Sequence, residues 1–157
     1  MIRIAILTNL LAYSTVASQP LFYIVALTTA QRALSGSAYV ELRQRINAVM
    51  TRRVPLIYLT TLVTSLALLA LSWRAQSWNV LVTSVLALLC LVVDIVLMMR
   101  ENVPINGVID RWSATDYPDD WEAYRSKWFS IFGYRQVILL VGFTSLLFGA
   151  VFQRSNP

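Results

Sequence analysis

The sequence predicts an all-α integral membrane protein: a bundle of four transmembrane helices with two interfacial amphipathic helices in its long loops. Of its 157 residues, 57% are hydrophobic and only 13% are charged, and the mean hydropathy is +0.61. A soluble domain of this composition could not cover its surface with polar groups. Residues 1–157 are therefore expected to form one membrane-embedded domain.

Composition also excludes several classes of site. Cys90 is the single cysteine, and the chain contains no histidine, so the usual ligands of haem, copper, iron and catalytic zinc are missing. We expect no metal site and no cofactor. The net charge is +5, but the cationic residues lie among aromatic and apolar ones at the ends of the spans. That pattern suits anionic lipid head groups and argues against nucleic acid.

Four segments are long and apolar enough to cross a hydrocarbon core, which needs about 20 mostly apolar residues per helix. They are residues 4–27, 54–73, 78–99 and 134–152. Only four residues separate the second from the third, so these two helices should form an antiparallel hairpin. Trp73 and Trp78 flank its turn and are expected to anchor it at the membrane interface.

The basic residues predict the orientation of this bundle. With four spans, both termini and the 74–77 loop share one side, whose basic residues are Arg3, Arg74 and Arg154. The opposite side has ten basic residues: Arg32, Arg43, Arg45, Arg52, Arg53, Arg100, Arg111, Arg125, Lys127 and Arg135. By the positive-inside rule, we expect the two long loops in the cytoplasm and both termini outside, in a bacterial inner membrane.

The first long loop shows the period of an amphipathic helix. Its apolar positions are Tyr39, Leu42, Ile46 and Val49, and the polar positions opposite them are Glu41, Arg43, Gln44 and Asn47. Spacings of three and four residues place each set on its own helix face. This helix is expected to lie along the membrane surface or to cap the bundle.

The second long loop predicts another amphipathic helix. Pro118-Asp119-Asp120-Trp121-Glu122 offers a capping residue with an acid three positions later, which is a helix start signal. Aromatic and apolar residues then line one face: Trp121, Tyr124, Trp128 and Ile131. The helix should lead directly into the fourth span.

Asp94 is the one ionisable acid deep within a predicted span. A charged group there is expensive by a few kcal/mol or more, so it should face other helices and hold a proton or pair with a cation. Its candidate partners are Arg52, Arg53, Arg135 and Tyr58. Asp94 is then either a proton-accepting or ligand-orienting carboxylate, or an ion pair that holds the helices together.

Small and polar residues recur in all four spans, at helical spacing in the second and third. They are Asn9, Tyr13, Thr15, Ser18, Gln19 and Tyr23 in the first, Tyr58, Thr61, Ser65 and Ser72 in the second, Thr83, Ala87, Cys90 and Asp94 in the third, and Gly142, Ser145 and Gly149 in the fourth. Such stripes either line an amphipathic cavity or form helix contacts.

The third span runs into the segment Arg100-Glu101-Asn102-Val103-Pro104-Ile105-Asn106. Proline lacks an amide donor and disfavours a helical residue before it, so the helix is expected to end here. The carboxamides of Asn102 and Asn106 would then satisfy freed backbone groups or point at a ligand.

Several short motifs follow this segment: Ile109-Asp110-Arg111-Trp112, Asp120-Trp121, Tyr124-Arg125, Lys127-Trp128 and Arg135. With them, the chain resembles the anthrone oxygenase-like family of small four-helix membrane proteins. The similarity spans most of the chain, and its specific part is Asn102 to Arg135.

The resemblance implies a four-helix membrane bundle. For the characterised members it also implies oxidation of a polycyclic anthrone to a quinone by molecular oxygen, without metal or flavin. The catalytic residues it implies are Asp94, Asn102, Asn106 and Arg135, with Tyr58, Trp112 and Trp128 binding substrate. A base would form an electron-rich anion that donors hold for attack by oxygen. Relatives often carry a histidine a few residues before the equivalent of Arg135, where this chain has Phe132.

Three functional classes follow from these patterns. The first is an oxygenase-like enzyme acting on a hydrophobic aromatic substrate, which requires an enclosed cavity joining Asp94 to Asn102 and Asn106. The second is a non-enzymatic accessory or structural subunit of a larger membrane complex, with a filled core and apolar faces that other membrane proteins cover. The third is a transporter or channel, which would need oligomerisation. Lipids are expected partners in every case.

Overall fold

The computed structural model describes residues 1–153, apart from the side chains of Pro20, Leu21 and Ile24. Arg154, which the orientation argument uses, lies outside the described residues. The described chain consists of α1 (Ile2–Phe22), a π-helical turn (Tyr23–Leu27), α2 (Thr28–Arg32), α3 (Gly36–Arg74), α4 (Trp78–Leu97), a second π-helical turn (Met98–Asn102), α5 (Val103–Ile109) and α6 (Trp121–Val151). The predicted all-α class is confirmed.

Among the described residues, three continuous helices are long and apolar enough to cross a membrane. They are Gly36–Arg74, Trp78–Ile109 and Trp121–Val151, and they contain the second, third and fourth predicted spans. The first predicted span corresponds to α1 and the π turn that follows it. The chain therefore has the helices of an integral membrane protein.

The four long helices form a closed ring, because α1 and α4 each pack against both α3 and α6. Their buried stripes are small or polar: on α3 the buried residues include Tyr58, Thr61, Ser65 and Ser72. The outward positions are large and apolar, including Leu56, Leu59, Val63 and Leu66. Exposed apolar faces around a core rich in small and hydroxylated residues are typical of helices packed in lipid.

Hydrogen bonds between the helices stabilise the ring from inside the bundle. The Asn9 amide on α1 donates to Thr64 Oγ1 at 3.0 Å and Ser65 Oγ at 2.9 Å on α3. The Tyr13 hydroxyl donates across the bundle to the Ala87 carbonyl of α4, at 3.1 Å. Such bonds contribute about 0.6 to 2 kcal/mol each in membrane bundles, so the polar stripes already have a packing role.

Gly142 permits the closest approach of helices. A Cβ atom placed on it would overlap the Tyr13 hydroxyl and lie 2.9 Å from the Cβ of Cys90. Tyr13 is completely buried and hydrogen-bonded, so it has no open space to move into. The glycine at this position is explained by helix packing.

We therefore expect Gly142→Ala to lower the free energy of unfolding by about 1 to 3 kcal/mol, the usual range for overpacking. Unfolding of the purified protein by sodium dodecyl sulfate, followed by circular dichroism, would measure it. Gly133→Ala on the same helix is the matched control, because its Cβ would meet no atom within 4 Å and alanine favours helix. Equal losses for the two variants would contradict the packing explanation.

The predicted surface helix of the first loop is not a separate element. Residues 39–49 belong to α3, which runs unbroken over 39 residues. The predicted apolar face is also partly wrong, since Val49 is half exposed whereas Arg43 is only 3% exposed. The reason is tertiary: Arg43 and its neighbour Gln44 find hydrogen-bond partners on the segment that follows α4.

The predicted helix end within Arg100–Asn106 is wrong as well. The helix widens into the π turn Met98–Asn102 and continues as α5 to Ile109. The Val103 amide bonds to the Met98 carbonyl, five residues back. Pro104 then stands in the first turn of α5, where its missing donor has little consequence. A π-bulge thus accommodates the proline without ending the helix.

In the second loop, α6 begins at Trp121 without the predicted side-chain cap, since the Asp120 side chain makes no capping hydrogen bond. The predicted aromatic face is confirmed. Its four residues, Trp121, Tyr124, Trp128 and Ile131, all pack into one hydrophobic cluster. The helix continues without interruption through the fourth predicted span to Val151.

Candidate functional site

Asp94 and Arg135 form a buried ion pair between α4 and α6. The Arg135 Nε atom donates to Asp94 Oδ1 at 2.8 Å, and its Nη2 atom lies 3.3 Å from Oδ2. The Asp94 side chain is fully buried and that of Arg135 is 7% exposed. The guanidinium therefore contacts both carboxylate oxygens, the bidentate geometry that the planar arginine side chain favours.

Two further side chains complete this group. The Tyr58 hydroxyl on α3 donates to Asp94 Oδ2 at 2.6 Å and accepts from Arg135 Nη2 at 3.2 Å. Asn102 Oδ1 accepts from Arg135 Nη1 at 3.0 Å. We call Tyr58, Asp94, Asn102 and Arg135 the ion-pair cluster. Arg135 and Tyr58 were among the partners predicted for Asp94, and that prediction is confirmed.

The chemistry open to the ion-pair cluster follows from its hydrogen bonds. One carboxylate and one guanidinium give it no net charge, which makes burial in an apolar layer tolerable. Tyr58 and Arg135 together give Asp94 three hydrogen bonds. These bonds take three of the roughly four acceptor positions of a carboxylate. At rest, the cluster links three helices.

An aromatic layer covers the ion-pair cluster at the end of the bundle formed by the long loops. We call it the aromatic cap. It consists of Tyr23, Tyr39, Trp112, Trp121, Tyr124, Trp128, Phe129 and Phe132, packed with Ile105 and Ile109. Neighbouring ring centroids in it are 4.5 to 5.9 Å apart, for example in the Tyr23–Phe132 and Tyr23–Trp128 pairs.

Trp128 and Phe132 join the aromatic cap to the ion-pair cluster. The Trp128 carbonyl accepts from Asn102 Nδ2 at 3.3 Å, and its ring stacks on Phe132 with centroids 4.8 Å apart. The Phe132 ring in turn lies 5.6 Å from the Arg135 guanidinium carbon. Phe132 therefore brings the aromatic cap into contact with the ion-pair cluster.

Asn106 lies apart from the ion-pair cluster. Its Oδ1 accepts from Arg43 Nη2 on α3 at 2.6 Å, and the Arg43 guanidinium carbon lies 4.0 Å from the centre of the Trp128 ring. The two asparagines that flank Pro104 therefore serve different groups. Asn102 joins Asp94, and Asn106 holds a second buried arginine beneath the aromatic cap.

A third buried arginine, Arg125, lies on the other side of the aromatic cap. Its Nη1 atom donates to the carbonyls of Gln31, Arg32 and Leu34 at 3.1 to 3.4 Å. A cation at the carbonyl end of a helix is favourable, and here the Arg125 guanidinium caps the end of α2. The guanidinium also lies 4.4 Å from the centre of the Trp121 ring, at cation–π distance.

Trp112 stands at the edge of the aromatic cap. Its ring meets Tyr124 edge-on, with centroids 5.2 Å apart, and its carbonyl accepts from Gln44 Nε2 at 2.7 Å. Gln44 Nε2 also donates to the Ile109 carbonyl. One side chain therefore caps the end of α5 and holds the start of the loop between α5 and α6. The Asn47 amide on α3 also donates to the Asp110 carboxylate, directly after α5.

Neither Arg43 nor Arg125 is recognisable as part of the site from local pattern, because arginine on an amphipathic helix usually points to water. One signal marks Arg125. It lies four residues after Trp121, a spacing that brings a cation beside an aromatic ring on one helix face, and its guanidinium does lie over that ring.

Comparison with protein-family models, curated proteins and solved structures finds no match to the chain. Among residues 1–153, no group of three or more Cys, Asp or Glu side chains is placed to hold a metal ion. Function is accordingly inferred from the ion-pair cluster and the aromatic cap themselves.

Proposed function

We propose that the protein is a four-span integral membrane protein, with α1 as the fourth span. The position of α1 in the ring, between α3 and α6, and its exposed Ile4, Leu7 and Leu11 support this. In the proposed orientation both termini are outside and the aromatic cap faces the cytoplasm of a bacterial inner membrane, since its side carries most of the basic residues.

We further propose that the chain is an oxygenase of the anthrone oxygenase-like type, acting on a hydrophobic polycyclic aromatic substrate. The observation that carries the proposal is the meeting of Tyr58, Asp94, Asn102 and Arg135 in one buried cluster, directly beneath the aromatic cap. These are polar residues that the resemblance implies for the site, and they come from three different helical segments.

In this proposal Asp94 takes a proton from the ring methylene of the substrate, and Arg135 and Asn102 donate to the oxygen that becomes negatively charged. Oxygen then adds to the carbanion. The methylene loses two hydrogens and gains one oxygen atom as the quinone carbonyl, and the other oxygen atom leaves as water. Trp128 and Trp112 provide aromatic surface for the rings.

A non-enzymatic role as a subunit of a larger membrane complex is the second candidate. It is favoured by the saturation of the ion-pair cluster, in which each of the four polar side chains bonds to at least one other. A cluster with this geometry is already explained by its role in holding neighbouring helices together. The exposed apolar faces of α3, α4 and α6 would then meet other membrane proteins as well as lipid.

Retained ligand distinguishes the two candidates. We expect gently purified protein to carry about one aromatic molecule per chain, detected by mass spectrometry, and Asp94→Asn to lose it because the amide donates where a carboxylate accepts. Tyr134→Phe is the matched control, since Tyr134 is 68% exposed and precedes Arg135. Protein that carries only bulk lipid and co-purifies in fixed ratio with other membrane proteins would overturn the enzyme proposal.

A further inference from the structure

In and around the aromatic cap lies a group of buried hydrogen-bonding atoms that have no partner among residues 1–153. They are both amide atoms of Gln31, the hydroxyl of Tyr39, Nε of Arg43 and the indole Nε1 of Trp128. Each of these residues is at most 5% exposed. A buried unsatisfied polar group destabilises a protein by about 1 to 3 kcal/mol, so several in one layer call for a physical explanation.

These atoms surround the two arginines of the cap. Tyr39 and Arg43 are one helical turn apart on α3, and the Arg43 guanidinium lies over the Trp128 ring. On the other side, the Arg125 guanidinium carbon is 5.8 Å from the centre of the Tyr39 ring. Arg125 Nη1 is 3.4 Å from the Gln31 carbonyl oxygen. The residues that carry the unsatisfied atoms therefore belong to one neighbourhood.

The charge of this neighbourhood is positive. Arg43 and Arg125 are 3% and 8% exposed. Within the described residues, the one carboxylate at salt-bridge distance from either guanidinium is that of Glu122, which is 66% exposed. Buried cations normally have an anionic partner. Four of the five unsatisfied atoms are donors, which adds to the preference for an acidic oxygen group.

A groove leads to the same layer from outside. It has a volume of about 440 Å³ and runs between α2 and α6, lined among others by Thr28, Arg32, Phe129 and Phe132. Phe129 and Phe132 are also members of the aromatic cap, so groove and cap share a wall. An acyl chain in the apolar part of this groove would lie beside Arg32 and beside the cap residues Phe129 and Phe132.

We propose that the aromatic cap is a specific binding site for the acidic group, a phosphate or a carboxylate, of an anionic lipid. Arg43 and Arg125 supply the positive charge, and Gln31, Tyr39 and Trp128 supply neutral hydrogen bonds. The inference rests on the proposed membrane embedding. It shares Trp128 with the proposed oxygenase reaction but uses no residue of the ion-pair cluster. Loss of lipid binding through Tyr39→Phe or Gln31→Met, which change neither Trp128 nor that cluster, would leave retention of an aromatic molecule unaffected.

Native mass spectrometry of the full chain in mild detergent tests the proposal, with separate titrations of phosphatidylglycerol, phosphatidylcholine and inorganic phosphate. We expect one phosphatidylglycerol per chain to bind saturably, at least tenfold more tightly than phosphatidylcholine. Tyr39→Phe and Gln31→Met should each weaken that binding about tenfold, the effect of losing one hydrogen bond to a charged group. Tyr134→Phe, at an exposed tyrosine, should leave it unchanged.

Stability without added lipid completes the test. Because Tyr39→Phe and Gln31→Met remove atoms that have no partner in the described part of the chain, we expect unchanged or higher melting temperatures. Inorganic phosphate binding as tightly as the lipid would support the same chemistry with a soluble source. Equal binding of the two lipids, or phosphatidylglycerol binding unaffected by Tyr39→Phe, would overturn the proposal. Melting temperatures lowered by both variants would also overturn it.

Discussion

Arg135→Met is expected to lower the free energy of unfolding by about 3 to 5 kcal/mol, the range seen when one partner of a buried ion pair is removed. The substitution leaves the fully buried Asp94 without its cation and leaves Asn102 Oδ1 without its donor. Methionine keeps most of the side-chain length, so the loss reports on charge rather than on volume. Titration with sodium dodecyl sulfate, followed by helical circular dichroism, measures the change.

The double variant Asp94→Leu with Arg135→Met separates the ion pair from its surroundings. Replacing both ions with apolar groups should recover most of the lost stability, since buried pairs contribute little net free energy against apolar substitutes. A double variant as unstable as Arg135→Met alone would contradict this account. A stable double variant that no longer retains an aromatic molecule would support the oxygenase proposal over a purely structural cluster.

Arg125→Ala is expected to lower the free energy of unfolding by roughly 3 kcal/mol, from the lost charge-assisted hydrogen bonds and the cation–π contact. The carbonyls of Gln31, Arg32 and Leu34 would lose their common donor. Because these carbonyls end α2, the effect should be local as well as global. Hydrogen–deuterium exchange should rise in residues 28–36 more than in the interior of α4.

Arg45→Ala is the matched control. Arg45 also lies on a long helix and also pairs with a nearby glutamate, Glu41, but the two side chains are 76% and 56% exposed. Exposed pairs of this kind contribute about 0.3 to 0.5 kcal/mol. Similar losses for Arg45→Ala and Arg125→Ala would show that the contacts of Arg125 with α2 carry no special weight.

The features that could be predicted from the sequence depend on local pattern. Apolar runs of span length identify α3, α4 and α6 without any knowledge of packing. The partners of Asp94 were also predictable, because a buried acid needs a donor or a cation and few are available at that depth. Tyr58 and Arg135 satisfied this requirement.

The features that could not be predicted depend on contacts between distant segments. The helical period of the apolar residues predicts that Val49 faces inward. It is half exposed, because the actual inner face of α3 includes Arg43. That arginine is buried only because Asn106 and Trp128, more than sixty residues away in sequence, receive it. Whether the helix ends at Pro104 likewise depends on structure outside the local pattern, namely the π turn before it.

The π turn Met98–Asn102 also sets the angular phase of the helix. Asp94 and Asn102 are eight residues apart, which in an uninterrupted α-helix would place them about 80° apart around the axis. A π turn absorbs about one extra residue and reduces that difference to roughly 20°. Both side chains can then reach the same guanidinium. A helical wheel drawn with one uniform period through residues 78–109 would split this face in two and assign Asn102 to the wrong neighbour.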